Sequence, residues 1–303
     1  MASNLLMRTR NYLNAPLLIG SGAAGSNGTW KMYSNGVCEV SGTTNSSALS
    51  NFSKFEESVK TIIADITTFY GGSWGSYSNL TDVYFSSKFT GSTGTNGGNL
   101  ITKSGIRVWY DGTLADWLTK VGCYGSNTLF ATAAYRLFVK DSEGEYYEVA
   151  GAVSYNGPIM ADYTDSNLRY VSAITSVDFT VTQWVRDGNM SEYMFGDNPN
   201  LVSATLAGSA ITSISGHAFY NCTRLTSITL PSSVTSIGDY AFYSDAYITV
   251  NASACSAIPT LGGTWTFRAA RVVKIIVPAG QLSAWQSASR WSSYASKMVE
   301  ASV

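Results

Sequence analysis

Apolar residues in the second half of the chain fall on a recurring grid. Counted from Ile211, they follow at +3 (Ile214), +8 (Phe219), +14 (Leu225), +17 (Ile228) and +19 (Leu230), with Cys222 at +11. The same offsets counted from Ile66 give Phe69, Trp74, Leu80, Val83 and Phe85, with Tyr77 at +11. Ile258 opens a further unit through Leu261, Val272, Ile275 and Val277, with Phe267 one place late. Val234 opens a shortened one through Ile237, Phe242 and Ile248. A weaker unit ends in Met190, Phe195, Leu201 and Leu206, and Ile174, Val177 and Phe179 match the last three positions alone.

A period of about 20–29 residues, with one strand and one turn per unit, predicts a leucine-rich-repeat solenoid. In Leu225-x-x-Ile228-x-Leu230 the apolar side chains point one way and make a short strand, which Pro231 ends. Ile237 points back inward, and Phe242 fills the wedge between coils from a tight turn at Gly238–Ala241. One such unit leaves both flat sides bare, so it is stable only when neighbours cover it. The fold class expected is therefore mainly β, an α+β solenoid of short strands and turns with an N-terminal β-hairpin module and helical caps.

The string from Leu225 to Ser244 resembles the BspA-type leucine-rich repeat of bacterial surface proteins and of some phage and protist proteins. Ile106–Trp117 (IRVWYDGTLADW) is similar to an insertion that such arrays carry. Val277–Lys297, with Leu282, Trp285, Trp291 and Tyr294, resembles their common ending and reads as an amphipathic capping helix over about 280–300. The resemblance implies an interaction scaffold and brings no catalytic residue with it. It spans residues 66–303, with a diverged insertion at about 86–170.

The start of the chain reads differently. Trp30-x-x-Tyr33, a Ser-Asn-Gly turn, and Val37 to Gly42 predict a β-hairpin. They also resemble a short module of phage tail and baseplate proteins. Gly20–Gly28 reads as a flexible linker by composition. Residues 1–45 are thus expected to be a docking segment and hairpin. Residues 46–65 are expected to be a capping helix, because Ser53…Glu56 fits a capping box and Phe52, Phe55, Val59, Ile62 and Ile63 recur at helical spacing. The same spacing would also fit a self-associating seam.

Composition narrows the function. Only 13% of the 303 residues are charged and the net charge is -1, against about 25% charged in average domains. No basic stripe is present to displace the counterions of a nucleic acid. No apolar run is long enough to span a membrane, and the run after Arg8 and Arg10 is too short for a secretory signal. Cys38, Cys123, Cys222 and Cys255 show no metal spacing and read as free thiols. His217, the only histidine, falls on a solvent-facing turn of the repeat. Asp111 is expected in an Asp-Gly turn, Asp116 at a helix start, and Glu143, Glu145 and Glu148 on the wet face of a hairpin. No cofactor or metal is expected, and the chain does not read as an enzyme.

The aromatic load suggests contact surface instead. Several rings fall off the repeat template: Trp109, Tyr146, Tyr147, Tyr155, Tyr163 and Tyr170 form the candidate ligand-binding set. Together, the resemblances of the N-terminal hairpin and of the repeats imply a phage virion protein, a tail-fibre or surface-decoration component that binds the bacterial surface. Its partners would be other virion proteins, through the N-terminal segment, and a bacterial surface glycan or protein; a homo-oligomer is compatible. It would be made in the host cytoplasm and end on the virion. The alternatives are a bacterial cell-surface adhesin with the same repeats and, second, a polysaccharide-degrading enzyme built on Asp111 and Asp116.

Overall fold

Short runs of β-branched and aromatic residues with inward apolar side chains every second position make the strands of this chain. The computed structural model describes residues 16–24, 27–43, 53–68, 77–92, 103–123, 134–159, 168–185, 189–244, 246–268 and 271–302. The chain divides into two compact units, Met1–Glu148 and Val149–Val303.

The first unit is built on β1 (Leu18–Ala23), β2 (Asn27–Tyr33), β3 (Val37–Thr43), β4 (Thr61–Ile66), β5 (Asp82–Phe85), β6 (Gly91–Ser92), β7 (Ile106–Thr113), helix α1 (Leu114–Lys120), β8 (Gly122–Cys123), β9 (Tyr135–Lys140) and β10 (Tyr146–Glu148). Its main sheet has the order β1-β2-β3-β4-β5-β7-β9-β10, and β6 pairs with β8. The pairs β1/β2, β2/β3 and β9/β10 are antiparallel. The run from β3 through β9 is parallel, as stacked coils require. The core holds Ile62, Val83, Phe85, Val108, Tyr110 and Leu137, all buried.

The second unit comprises β11 (Gly151–Ile159), β12 (Ile174–Trp184), β13 (Ser203–Ala207), β14 (Ser213–Ile214), β15 (Ser227–Thr229), β16 (Ser236–Ile237), β17 (Ile248–Asn251), β18 (Thr260–Leu261), β19 (Val272–Val277), helix α2 (Leu282–Ser287) and β20 (Met298–Glu300). Two parallel sheets, β11-β12-β13-β15-β17-β19-β20 and β14-β16-β18, line the two sides of its coils. Phe195, Phe219, Phe242 and Phe267 form an inner stack, with successive centroids 5.0, 5.2 and 5.1 Å apart. Gly238 lets two turns touch: a Cβ there would lie 2.3 Å from the backbone nitrogen of Gly216.

The repeat grid is realised. Ile214 and Ile237 are fully buried and paired across β14 and β16. Ile66, Tyr77, Leu80, Val83 and Phe85 are buried in the first unit, while Phe69 and Trp74 lie outside the described residues. The hairpin at Trp30–Gly42 forms as β2 and β3.

Five expectations are corrected. Over 46–65, the described part is a short 3-10 turn at Ser53–Phe55 followed by strand β4, because Thr61-Ile62-Ile63 is β-branched and finds a strand on either side. Within Gly20–Gly28, residues 20–23 belong to β1 and 27–28 to β2, paired in register, so composition misled there. The stretch at 86–170 is not wholly an insertion: within it β7 and β9 continue the parallel ladder. The C-terminal cap is α2, a 3-10 turn at Trp291–Lys297 and β20 rather than one helix, with Trp285, Trp291 and Tyr294 buried. Asp111 lies inside β7, not in a turn, although Asp116 does start α1 through a capping box with Thr113.

Candidate functional site

On a parallel sheet, residues flanking each buried strand position form files that run across the strands. In the first unit, the file before the buried position reads Asp82, Arg107, Arg136 over β5, β7 and β9. The file after it reads Tyr84, Trp109, Phe138. Tyr84 and Trp109 stack at 5.4 Å, and Trp109 and Phe138 at 4.1 Å. Tyr146 of β10 meets Trp109 edge-on at 5.4 Å.

The charges hold these rings in place. Asp82, only 8% exposed at its side chain, accepts from Trp109 Nε1 at 2.8 Å, Arg107 Nη2 at 2.6 Å and Thr81 Oγ1 at 2.8 Å. Arg136 donates Nε and Nη2 to the two oxygens of Glu148 at 2.6 and 2.5 Å. That guanidinium holds the Glu148 carboxyl below its ordinary range. Hydrogen bonding to Asp82 and Glu148 in turn raises Arg107 and Arg136. Lys140 pairs with Asp111 and lies 5.3 Å above the Tyr146 ring. The side chains of Arg107 and Arg136 remain 46% and 49% exposed, so the face presents stacked rings flanked by guanidinium groups.

The structure brings two of the six candidate aromatics together, Trp109 and Tyr146. Tyr147 aligns with buried Val139 and so lies on the opposite side of β10 from Tyr146. Tyr155 pairs with buried Phe179 in the second unit and donates its hydroxyl to the Pro158 carbonyl at 2.7 Å. Tyr170 is buried beneath Arg169 in the second unit, with a left-handed backbone. Tyr163 lies outside the described residues. Tyr84, Phe138, Asp82, Arg107 and Arg136 were missed. The signal was available: counted from Ile66, offsets +16 and +18 flank the inward Val83 and land on Asp82 and Tyr84.

Other chemistry finds its residues engaged. His217 is half-buried rather than free in solvent: it is sandwiched between Tyr193 at 4.7 Å and Tyr240 at 5.2 Å. Asp116 caps α1 and pairs with Lys120, whose hydrogen bond lowers its pKa, the opposite of what a general acid needs. Burial pushes the thiols of Cys38 and Cys222 up to about 12 and that of Cys255 to about 11, away from nucleophilic use. Among the described residues no group of three His, Cys, Asp or Glu is placed to hold a metal ion. No helix among them is long and apolar enough to cross a membrane.

These coils define a class, the leucine-rich-repeat solenoids. Residues 188–280 match the family model of the BspA type leucine rich repeat region, in six copies. Two solved structures are matched over much of the chain. One is a leucine-rich repeat protein from Eubacterium ventriosum ATCC 27560, at 14% identity over 79% of this chain and 90% of that one, with a TM-score of 0.24. The other is a leucine rich cell surface protein from Faecalibacterium prausnitzii A2-165, at 12% identity over 96% of this chain and all of that one, with a TM-score of 0.35. No curated protein matches the chain.

Proposed function

We propose that this chain is a non-enzymatic binding scaffold of a bacterial cell surface, and that the strand face of Tyr84, Trp109 and Phe138 is where it holds its ligand. The observation that carries the reading is the placement of three large rings and two half-exposed arginines on positions the core does not use. Stacked rings and paired guanidinium groups lose little freedom on contact, so each buried ring adds affinity at low entropic cost. The match of residues 188–280 to BspA-type repeats supports the surface location, because the family they resemble is found in bacterial surface proteins.

A virion component that reaches the same bacterial surface is the second reading. It is favoured by the Trp30–Gly42 hairpin, whose residues resemble the phage tail module and which forms as β2 and β3. The partner in either case is a surface glycan or protein. Many weak contacts would act together, since linked copies raise the effective concentration.

The test is retention of bacterial cells, purified surface polysaccharides and surface-protein extracts on beads that carry the full chain at high density. Retention of at least one of them, reduced at least tenfold by Trp109→Ala with unchanged circular dichroism, is expected. No retention of any of them, or equal retention by Trp109→Ala, contradicts the proposal. Detection of the protein in a washed cell-envelope fraction rather than in purified phage particles separates the first location from the second.

A further inference from the structure

The second unit carries an outer file of rings on its turns, apart from its strand files. Tyr193, His217, Tyr240 and Trp265 each stand two residues before a phenylalanine of the inner stack, Phe195, Phe219, Phe242 and Phe267. Tyr193 and His217 stack at 4.7 Å with planes 16° apart, and His217 and Tyr240 at 5.2 Å with planes 1° apart. These three residues have φ of 55, 60 and 57°, a left-handed backbone that a bulky side chain holds only at a cost. One end of the stack is closed. The Arg169 guanidinium lies 3.9 Å over Tyr193 and donates Nε and Nη2 to Asp197 Oδ2 at 3.1 and 2.8 Å.

The other end is open. Trp265, 49% exposed, does not continue the stack. Among the described residues its ring meets Tyr243, edge-on at 5.9 Å, and not Tyr240. His217 covers one face of Tyr240 from the preceding coil; among the described residues no ring stacks on the other face and no cation lies over it. A carboxylate stands at this end as well. Asp239 Oδ1 accepts from the backbone N–H groups of Tyr240 and Trp265 at 3.1 and 3.0 Å. It therefore reaches toward the following coil, the side on which Tyr240 is uncovered. Gly263 makes room for it: a Cβ there would lie 2.1 Å from the Asp239 carboxyl carbon. Asp239 Oδ2 takes no hydrogen bond or ion pair from the described residues.

The two ends thus differ in one component. Each offers a phenol face and a carboxylate, but only the first has a guanidinium of its own. A planar guanidinium stacks flat on a ring and gives its N–H fork to a carboxylate, which a compact ammonium group does not. We infer that the open end is a binding site for a guanidinium group, the arginine side chain of a partner protein or peptide, seated on Tyr240 beside Trp265 and paired with Asp239. The site does not rest on the Trp109 face, and either can fail without the other.

The test is calorimetric titration of the full chain at low salt with N-acetyl-arginine amide and with N-acetyl-lysine amide. Saturable binding of the arginine compound, at least fivefold tighter than the lysine one, is expected. Asp239→Asn keeps an oxygen for the two backbone N–H groups and removes the charge. Tyr240→Asn removes the ring, and asparagine tolerates the left-handed backbone. Each should weaken binding at least fivefold with unchanged circular dichroism. Asp178→Asn, which removes an exposed carboxylate of β12, should bind as the unsubstituted chain does. The comparison of the two compounds on the unsubstituted chain decides even where a variant fails to fold. No saturable binding of the arginine compound overturns the inference. So does equal affinity for the lysine compound, which would mean attraction between charges alone, or a loss in Asp178→Asn as large as in Asp239→Asn.

Discussion

Asp82 and Tyr84 flank the buried Val83 of β5 just as Ser227 and Thr229 flank the buried Ile228 of β15. In the second unit the first file continues as Ser176, Ser203, Ser227, Thr249 and the second as Asp178, Thr205, Thr229, Asn251. In the first unit the same positions hold Asp82, Arg107, Arg136 and Tyr84, Trp109, Phe138. The inward positions hardly differ in character: both units bury aliphatic and aromatic side chains there. One coil architecture thus tolerates either a mostly hydroxyl-bearing surface or a ring-and-guanidinium surface. Stability comes from the inside in both units, and the two units differ on the outside.

The largest expected effect is on the shared feature. Phe219→Ala opens a gap in the inner stack between Phe195 and Phe242 and should cost about 3–5 kcal/mol in denaturant unfolding. A loss below about 1 kcal/mol would mean that the inner stack is not what holds the coils together.

Next in size is a contrast at one repeat position. Asp82→Ala strands Trp109 Nε1 and Arg107, which both donate to this buried carboxylate. It should cost about 2 kcal/mol and alter Trp109 fluorescence. Ser227→Ala at the equivalent position should stay within about 0.5 kcal/mol. Equal costs at the two positions would erase the difference between the faces.

Glu148→Gln removes the carboxylate that pairs with the half-exposed Arg136. Solvent screening limits the loss to about 0.5–1 kcal/mol at pH 7. The folded-state pKa of Glu148 is depressed, so its contribution is complete above the ordinary value of 4.5 and fades as pH falls through the lowered one. Wild type and variant should therefore converge in stability once pH has fallen through that lowered value. A difference that persists there would place its origin in packing rather than charge.

The smallest effect is a predicted equality. Cys38 in the first unit and Cys222 in the second both have thiols pushed to about 12 by burial. Neither should be labelled by iodoacetamide at pH 8 before unfolding, as mass spectrometry of digested protein can read. Rapid labelling of one alone would show that the two interiors are unlike.

Much of the inside was legible in the sequence, because a buried position tolerates few residue types and the spacing repeats. Ile214, Phe219, Leu225, Ile228 and Leu230 all stand buried where the grid puts them. The helix expected over 46–65 failed because Val59, Ile62 and Ile63 satisfy a helical spacing and a strand equally well. Long-range pairing with β3 and β5 decided between them. The face was half legible. Trp109 stood out as an aromatic off the template, but its stacking partners Tyr84 and Phe138 come from β5 and β9, and only the register brings them within contact. Treating 86–170 as an insertion hid that register.

The central claim is that ligand is held by the first unit's strand face and not by the second's. It is tested by comparing two double variants of the full chain on beads, against whichever surface material the wild type retains. Tyr84→Thr with Trp109→Thr gives the first face the hydroxyl pattern of the second. Thr205→Ala with Thr229→Ala removes hydroxyls from the second. The account predicts at least a tenfold loss of retention for the first pair and wild-type retention for the second; loss confined to the second pair, or the same retention by both, would contradict it.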